Sequence, residues 1–333
     1  MWLGDSWRRS LFALCEKQRR SVRLLLVISQ QPNPSKSPGP GSASAASIGQ
    51  INAHGMEYFC QLCVVPTSPA LVAELAPADP ASAEIREHIR GLLTDLIEKA
   101  PAGENTAGEN AVSEIVLVGS QDPQWRTAHR GSFRAWGAPQ VQLADGYFLA
   151  ELVLRYLCVE WEHLISASYP SLVELLTSHR LTPETVVLLG IDGSAGLGPR
   201  APLAELPAAP AADRWARALL DSGSAKTSAS ASVVDHDADA YYARDGEAEP
   251  AGRLSEKFLA FTEPPSSQQL QGAGIREPAL WLELASLHAA GALTQMKLRH
   301  ADISHGVARY IATGQIIGRT GKKGDEVCTD SLE

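Results

Sequence analysis

Long apolar runs, cysteines and excess positive charge are all scarce in this sequence, and each shortage excludes a class of protein. No apolar run approaches the roughly 20 residues that a membrane-spanning helix needs. Five cysteines in 333 residues form no dense disulfide framework, which is typical of proteins in a reducing cytoplasm. The formal net charge of -9 removes the electrostatic basis for binding nucleic acid or an anionic membrane. We therefore expect a soluble, cytoplasmic protein.

The two ends and one internal stretch differ in composition from the rest of the chain. Residues 1–56 contain a basic cluster and a tract rich in Pro, Ser, Gly and Ala, which cannot form a core. We interpret them as a disordered extension, or as a mis-assigned start if translation begins at Met56. Residues 221–252 are predicted to be a flexible acidic insertion, and residues 316–333 a loose tail. The remaining residues, 57–315, are predicted to form a single domain.

Three apolar runs predict the core of a parallel β-sheet, at residues 58–66, 114–119 and 186–190. The last run is almost wholly apolar, as is typical of a strand buried on both faces. Apolar residues at helical spacing over residues 85–97 separate the first two strands, and this order implies a right-handed crossover. The expected fold is α/β, with three layers: a mostly parallel sheet flanked by helices on both faces.

Weaker patterns predict further elements along the chain. Strands are expected at residues 139–143 and 306–311, and helices at residues 147–163, 172–178, 215–220, 254–261 and 278–290. Pro278 suits the first turn of its helix, because the N–H group that proline lacks has no partner there.

Cys60 and Cys63 stand three residues apart, a spacing that also occurs in zinc sites. No second pair follows to complete four ligands, and residues three apart in a strand point to opposite faces. We therefore interpret both as buried strand cysteines.

The strand at residues 186–190 ends in a loop that contains Gly193, Gly196 and Gly198. In open α/β sheets, ligand sites lie where strands end in such loops. A phosphate cradle is the weakest hypothesis, because the spacing matches neither G-x-G-x-x-G nor the P-loop pattern. Asp192 opens the loop, and bracing the glycine turn is the favoured interpretation of its role.

Several short motifs follow one another in an order that identifies a family. They lie at residues 64–76 (VVPTSPALVAELA), 115–120 (IVLVGS) with 131–137 (GSFRAWG), 190–202 (GIDGSAGLGPRAP) and 304–313 (SHGVARYIAT). Together they resemble the actinobacterial LigB-type branch of the class III extradiol ring-cleavage dioxygenase superfamily. The resemblance covers about residues 58–315 and implies that superfamily's three-layer fold.

The resemblance also implies where a metal site would lie. In active members two histidines and a glutamate bind Fe(II), and a further histidine acts as acid and base. Thr67 stands in place of the first metal histidine, and residues 120–122 are Ser, Gln and Asp in the loop that holds the second. Ala195 replaces the acid/base histidine. Glu277 matches the glutamate ligand, with Glu283 as the second choice.

These replacements predict that the iron chemistry is lost. A threonine hydroxyl is a poor ligand for Fe(II), and alanine cannot transfer a proton. We expect a catalytically degenerate relative with a binding or scaffolding role, whose pocket candidates are Asp192 and Ser194. The alternative is a surviving enzyme for a small substrate such as an aromatic compound. In that case Asp122, Asp192 and Glu277 would hold a hard ion such as Mg²⁺, Ca²⁺ or Mn²⁺.

A small-molecule ligand is the expected partner on either interpretation. Nucleic acid and membrane partners are not expected, and a homo-oligomer is compatible with the sequence. Fe(II) is implied by the resemblance but does not suit the residues present.

Overall fold

The computed structural model describes residues 57–98, 112–223 and 264–319. The strands are β1 (Glu57–Val65), β2 (Glu114–Gly119), β3 (Ser132–Phe133), β4 (Ala138–Gln142), β5 (Ile165–Tyr169), β6 (Thr185–Gly190), β7 (Leu293–Asp302) and β8 (Arg309–Arg319). The helices are α1 (Pro80–Glu98), α2 (Leu149–Leu157), α3 (Leu172–Ser178), α4 (Ala209–Leu220), α5 (Ser267–Gly272) and α6 (Pro278–Ala289).

Six strands form one sheet in the order β5–β2–β6–β1–β8–β7. Strands β5, β2, β6 and β1 are parallel, whereas β8 runs antiparallel to β1 and β7 antiparallel to β8. The short strands β3 and β4 pair with each other outside this sheet. The predicted mixed α/β architecture with a mostly parallel sheet is therefore confirmed.

Helices cover both faces of the sheet, which gives three layers. Val186 and Leu188 of β6 belong to a core cluster shared with α1 and α2. Val187 and Leu189 belong to a second cluster, shared with α3, α4, α5 and α6. All six residues of β6 are buried, because a central parallel strand is covered on both sides. The prediction of a doubly buried strand here is confirmed.

The cysteine interpretation is also confirmed. Cys60 lies in the cluster with α3 to α6, and Cys63 lies in the cluster with α1 and α2. Both are buried and free. Burial raises the pKa of the Cys60 thiol to about 12 and raises that of Cys63 further. Protonated thiols on opposite faces of a sheet cannot form a shared metal site.

The helix predicted over residues 147–163 is too long. Helix α2 ends at Leu157, and a 3-10 segment over Val159–Leu164 follows it. The backbone is non-helical at Trp161, with φ of -115° and ψ of 22°. The Trp161 side chain is buried in the core. The apolar residues therefore continue past the end of α2, because they are placed by contact with the core and not only by the geometry of a helix.

The strand predictions fail at both edges of the sheet. Neither β5 nor β7 is predicted, because each is an edge strand whose exposed and buried residues do not form a continuous apolar run. The strand predicted at residues 306–311 begins instead at Arg309, after a turn in which His305 has φ of 59°. Strand β8 runs to Arg319, so the predicted loose tail is wrong for residues 316–319. Those residues pair with β1, for example Ile316 with Cys60.

The remaining predictions either agree with the described residues or concern residues outside them. Helices α3 and α6 and strand β4 lie at their predicted places, with Pro278 in the first turn of α6. The extension over residues 1–56, most of the acidic insertion and the helix predicted at residues 254–261 lie outside the described residues. In the part of the chain that is described, no helix combines the length and apolar character needed to cross a bilayer. The cytoplasmic location stays a prediction.

Candidate functional site

The parallel strands β1, β2 and β6 end at one edge of the sheet, which we call the carboxyl edge. Strand β8 begins at the same edge, because it runs antiparallel to β1. Thr67 follows β1, residues 120–122 follow β2, and Asp192 follows β6. The topology therefore brings the sequence-predicted residues of three separate loops to one place.

The glycine loop at this edge is tied to the segment before β8. The Gly193 N–H donates to Ala308 O at 3.0 Å, and the Ala308 N–H donates to Ser194 O at 2.8 Å. A Cβ atom at Gly193 would lie 2.6 Å from Ala308 Cβ and 2.7 Å from a ring carbon of Tyr310. Glycine is required at this position for close packing between two loops.

The same contacts exclude the phosphate-cradle hypothesis for this loop. The N–H groups of Gly193 and Gly196 already donate to Ala308 O and to Ser194 Oγ, the latter at 3.1 Å. The next helix along the chain begins only at Ala209, so the loop does not lead directly into a helix as a phosphate-binding loop does. Gly198 has φ of 90°, a backbone conformation that favours glycine.

Asp192 bridges the loops after β1 and β6. Its Oδ1 accepts the Thr67 N–H at 3.0 Å, and its Oδ2 accepts the Thr67 hydroxyl at 2.8 Å. Its backbone oxygen accepts the Trp281 indole N–H at 2.9 Å. Burial raises the pKa of Asp192, against the opposing effects of the Thr67 hydrogen bonds and the Arg309 charge. These contacts support the bracing interpretation of Asp192.

Glu277 has the most unusual environment at the carboxyl edge. It immediately precedes α6, yet its side chain makes no capping bond to that helix. Its Oε2 atom is buried and has no hydrogen-bond partner among the described residues. Burial raises the pKa of Glu277 to about 7, a hydrogen bond with Ser120 opposes this, and the charges of Asp192 and Asp122 add to it. Glu277 therefore holds its proton for about half of the time near neutral pH.

The loop after β2 forms the outer side of this environment. Asp122 is exposed and caps a short turn, accepting the Gln124 N–H at 3.0 Å and the Gln124 side-chain amide at 2.9 Å. The Arg276 guanidinium lies 5.4 Å from the centre of the Trp125 ring, a cation–π contact that connects this loop to the residue before Glu277.

Three other predicted residues do not contribute a free functional group. Ser194 is fully buried, and its hydroxyl donates to Ala273 O at 2.6 Å, so it is not available to a ligand. Ala195 supplies only backbone groups, and its N–H donates to Gly274 O at 3.1 Å. Glu283 accepts the Leu172 N–H at 2.9 Å and so caps α3. Glu283 is therefore engaged at α3, whereas Glu277 lies beside Ser120 at the carboxyl edge.

The metal hypotheses do not fit these residues. In the described parts of the chain, no three His, Cys, Asp or Glu side chains are placed to hold one metal ion. Asp122, Asp192 and Glu277 affect one another electrostatically, but they do not form one ligand set for a shared Mg²⁺ or Mn²⁺ ion. Fe(II) fits no better, because no imidazole lies among them and the Thr67 hydroxyl is engaged by Asp192.

Sequence reasoning missed Arg309, which supports the site from β8. Its side chain is buried and donates to Asp302 Oδ2 through Nε at 2.9 Å and Nη2 at 2.6 Å. Its Nη1 atom donates to the Ser82 hydroxyl at 2.6 Å. No local pattern marks such a residue, because its partners lie on α1 and β7.

No family model matches the chain, and no curated protein matches it either.

Proposed function

We propose that this chain is a degenerate relative of the class III extradiol dioxygenases that binds a small molecule at the carboxyl edge without iron. The single observation that carries the binding role is the Oε2 atom of Glu277, which is buried and has no hydrogen-bond partner in the part of the chain that the structure describes. A buried polar atom without a partner costs free energy, and a ligand that hydrogen-bonds to it recovers that cost. The order of Thr67, Ser120 and Ala195 after three strands of one sheet supports the proposed family.

The protonation of Glu277 defines the class of ligand. Below pH 7 the neutral carboxyl can donate a hydrogen bond to an acceptor. Above pH 7 the carboxylate accepts a hydrogen bond from a hydroxyl or amine. The neighbouring carboxylates of Asp192 and Asp122 make this environment more negative, which adds to the rise in the pKa of Glu277. A ligand with a hydroxyl or protonated amine group is therefore favoured at neutral pH.

A binding assay with a matched control tests this role. Small alcohols, phenols, amines and carboxylic acids would be screened for their effect on the melting temperature of the wild type, E277Q and E283Q. We expect ligands that stabilise the wild type and E283Q to lose their effect on E277Q. Equal shifts in all three proteins would refute a role for Glu277.

The loss of iron chemistry needs a separate measurement. Elemental mass spectrometry of the purified protein is expected to find iron far below one atom per chain, and catechol is expected to cause no oxygen uptake. Stoichiometric iron together with ring opening would overturn the proposal.

An enzyme is the second candidate, because a carboxyl with a pKa of about 7 suits general acid–base catalysis near neutral pH. A pH–rate profile with any substrate found in the binding screen would test it. The E277Q variant should then lose turnover more than it loses binding.

A further inference from the structure

A second group of polar side chains connects β5 with the start of β2. Glu114 opens β2 at the edge opposite the carboxyl edge, whereas Tyr169 is the last residue of β5, which runs parallel to β2. The Tyr169 hydroxyl lies 3.1 Å from His179 Nδ1, and His179 Nε2 lies 3.1 Å from Glu114 Oε1. Tyr169 ends β5, His179 follows α3, and Glu114 opens β2. A phenol, an imidazole and a carboxylate are thus placed in sequence, and nothing in the proposed ligand site involves them.

The direction of the proton in this group follows from what each atom can do. A carboxylate only accepts, so the imidazole nitrogen that faces Glu114 is the one that carries a proton. His179 Nδ1 is then an acceptor, and the Tyr169 hydroxyl donates to it. The Nε2 contact with Glu114 has an ion-pair distance but not a hydrogen-bond angle, so Nε2 has no aligned partner among the described residues.

Glu114 is held in the ionised form that this arrangement needs. Its Oε1 atom accepts the Ser166 hydroxyl at 2.5 Å, and its Oε2 atom accepts the Thr185 hydroxyl at 3.1 Å. Burial opposes the charge, but these hydrogen bonds and the neighbouring His179 outweigh it, so the pKa of Glu114 is lowered. A fixed carboxylate next to an imidazole stabilises the imidazolium that forms when the ring takes a proton.

We propose that Tyr169 is a nucleophile activated by His179 and Glu114, and that it accepts an acyl group from an activated ester. The Tyr169 oxygen attacks the ester carbonyl carbon and forms a new C–O bond. His179 Nδ1 takes the phenolic proton, and the bond from the carbonyl carbon to the leaving oxygen breaks. The proton then passes from His179 to that oxygen, so the products are an O-acyl tyrosine and the free alcohol.

Access to the pair is compatible with this chemistry. Tyr169 and His179 are half-buried, and Ser166 beside them is exposed, so the group borders solvent. Partial burial reduces the competition from water for the imidazole.

Acylation of the intact protein by p-nitrophenyl acetate tests the proposal, with each modified tyrosine located by peptide mass spectrometry. Tyr147 is the internal control, because it is exposed to solvent. Its ring contacts the Arg126 guanidinium by a cation–π interaction, whereas the Tyr169 hydroxyl faces a histidine. We expect Tyr169 to react faster than Tyr147, and H179Q to slow Tyr169 about a hundredfold without slowing Tyr147. The E114Q variant should slow it by a smaller factor.

The pH dependence of the wild-type reaction requires no variant and separates activation from simple exposure. Acylation assisted by an imidazole levels off once the imidazole is deprotonated, whereas an unassisted phenol keeps reacting faster up to its ionisation near pH 10. A rate that rises throughout, a rate no faster than that of Tyr147, or an unchanged rate in folded H179Q would each overturn the proposal.

Discussion

Replacing Glu277 with glutamine removes the titration of the carboxyl that carries the proposed ligand binding. The carboxyl is buried, and its Oε2 atom lacks a partner among the described residues. Glutamine has the same shape but cannot ionise. The variant therefore reports what the negative charge costs the folded state, with little change in packing.

The expected size of the effect follows from the shift in pKa. Folding raises the pKa of Glu277 from 4.5 to about 7, because burial and the charges of Asp192 and Asp122 disfavour the carboxylate. At about 1.4 kcal/mol per pKa unit, the linked change in unfolding free energy is about 3 kcal/mol. Below pH 4.5 the carboxyl is protonated in both states, and the stabilisation from holding the proton is fully present. It is lost as the pH rises through 7.

Urea denaturation of the wild type and E277Q at pH 4, 6 and 8 measures this difference. The two proteins should have similar stability at pH 4, and E277Q should be more stable by about 3 kcal/mol at pH 8. The control is E174Q, which removes a charge from an exposed glutamate on α3. Its difference from the wild type should not change with pH by more than a few tenths of a kcal/mol.

One result would refute the reasoning directly. If the difference between the wild type and E277Q is the same at pH 4 and pH 8, the carboxyl is not desolvated. Carbon-detected NMR titration of the Glu277 carboxyl gives an independent reading, with a midpoint expected at about pH 7.

Two further predictions concern the loops that carry the site. T67V removes the hydroxyl that donates to Asp192 at 2.8 Å and should cost about 1–3 kcal/mol of unfolding free energy, whereas T94V on the exposed face of α1 should cost less than about 0.5 kcal/mol. G193A should destabilise the protein by about 1–3 kcal/mol, because its Cβ would collide with β8. G91A has open space in the middle of α1 and should stabilise the protein by about 0.5–1 kcal/mol.

Urea denaturation measures all four variants. A T67V protein as stable as T94V would show that the contact between Thr67 and Asp192 contributes nothing. A G193A protein as stable as the wild type would show that the glycine loop can move away from β8.

The central strands and their helices could be predicted from local patterns alone. Strand β6 is apolar throughout, and this pattern depends only on its being covered on both faces. The helical spacing of the apolar residues in α1 likewise predicts which side of that helix is buried. The edge strands could not be predicted, because β5 and β7 have one neighbour each in the sheet and few of their residues are fully buried. The boundaries of β8 could not be predicted either, because they depend on its eight paired positions with β1 rather than on a local apolar pattern.

The position of the site could also be predicted in outline. Loops after parallel strands meet at one edge of a sheet, so the sequence predicts that Asp122 and Asp192 lie at the same edge. The sequence could not show that Asp192 is fully engaged by Thr67, or that Glu277 is buried with one oxygen unpartnered among the described residues. Burial and hydrogen-bond geometry arise from residues far apart in the chain, and these decide which carboxylate is free to act.

By itself, the sequence determined the class of fold, the buried strand at residues 186–190 and the edge of the sheet at which the loops after the parallel strands meet. These depend on hydrophobic periodicity and chain order, which are local properties. Only the tertiary structure decided three other features. Gly193 allows two loops to pack closely, the Asp192 carboxylate joins the loops after β1 and β6, and burial raises the pKa of Glu277 to about 7. Each of those depends on what surrounds an atom in space, because desolvation and hydrogen bonding are set by the neighbours that folding brings together.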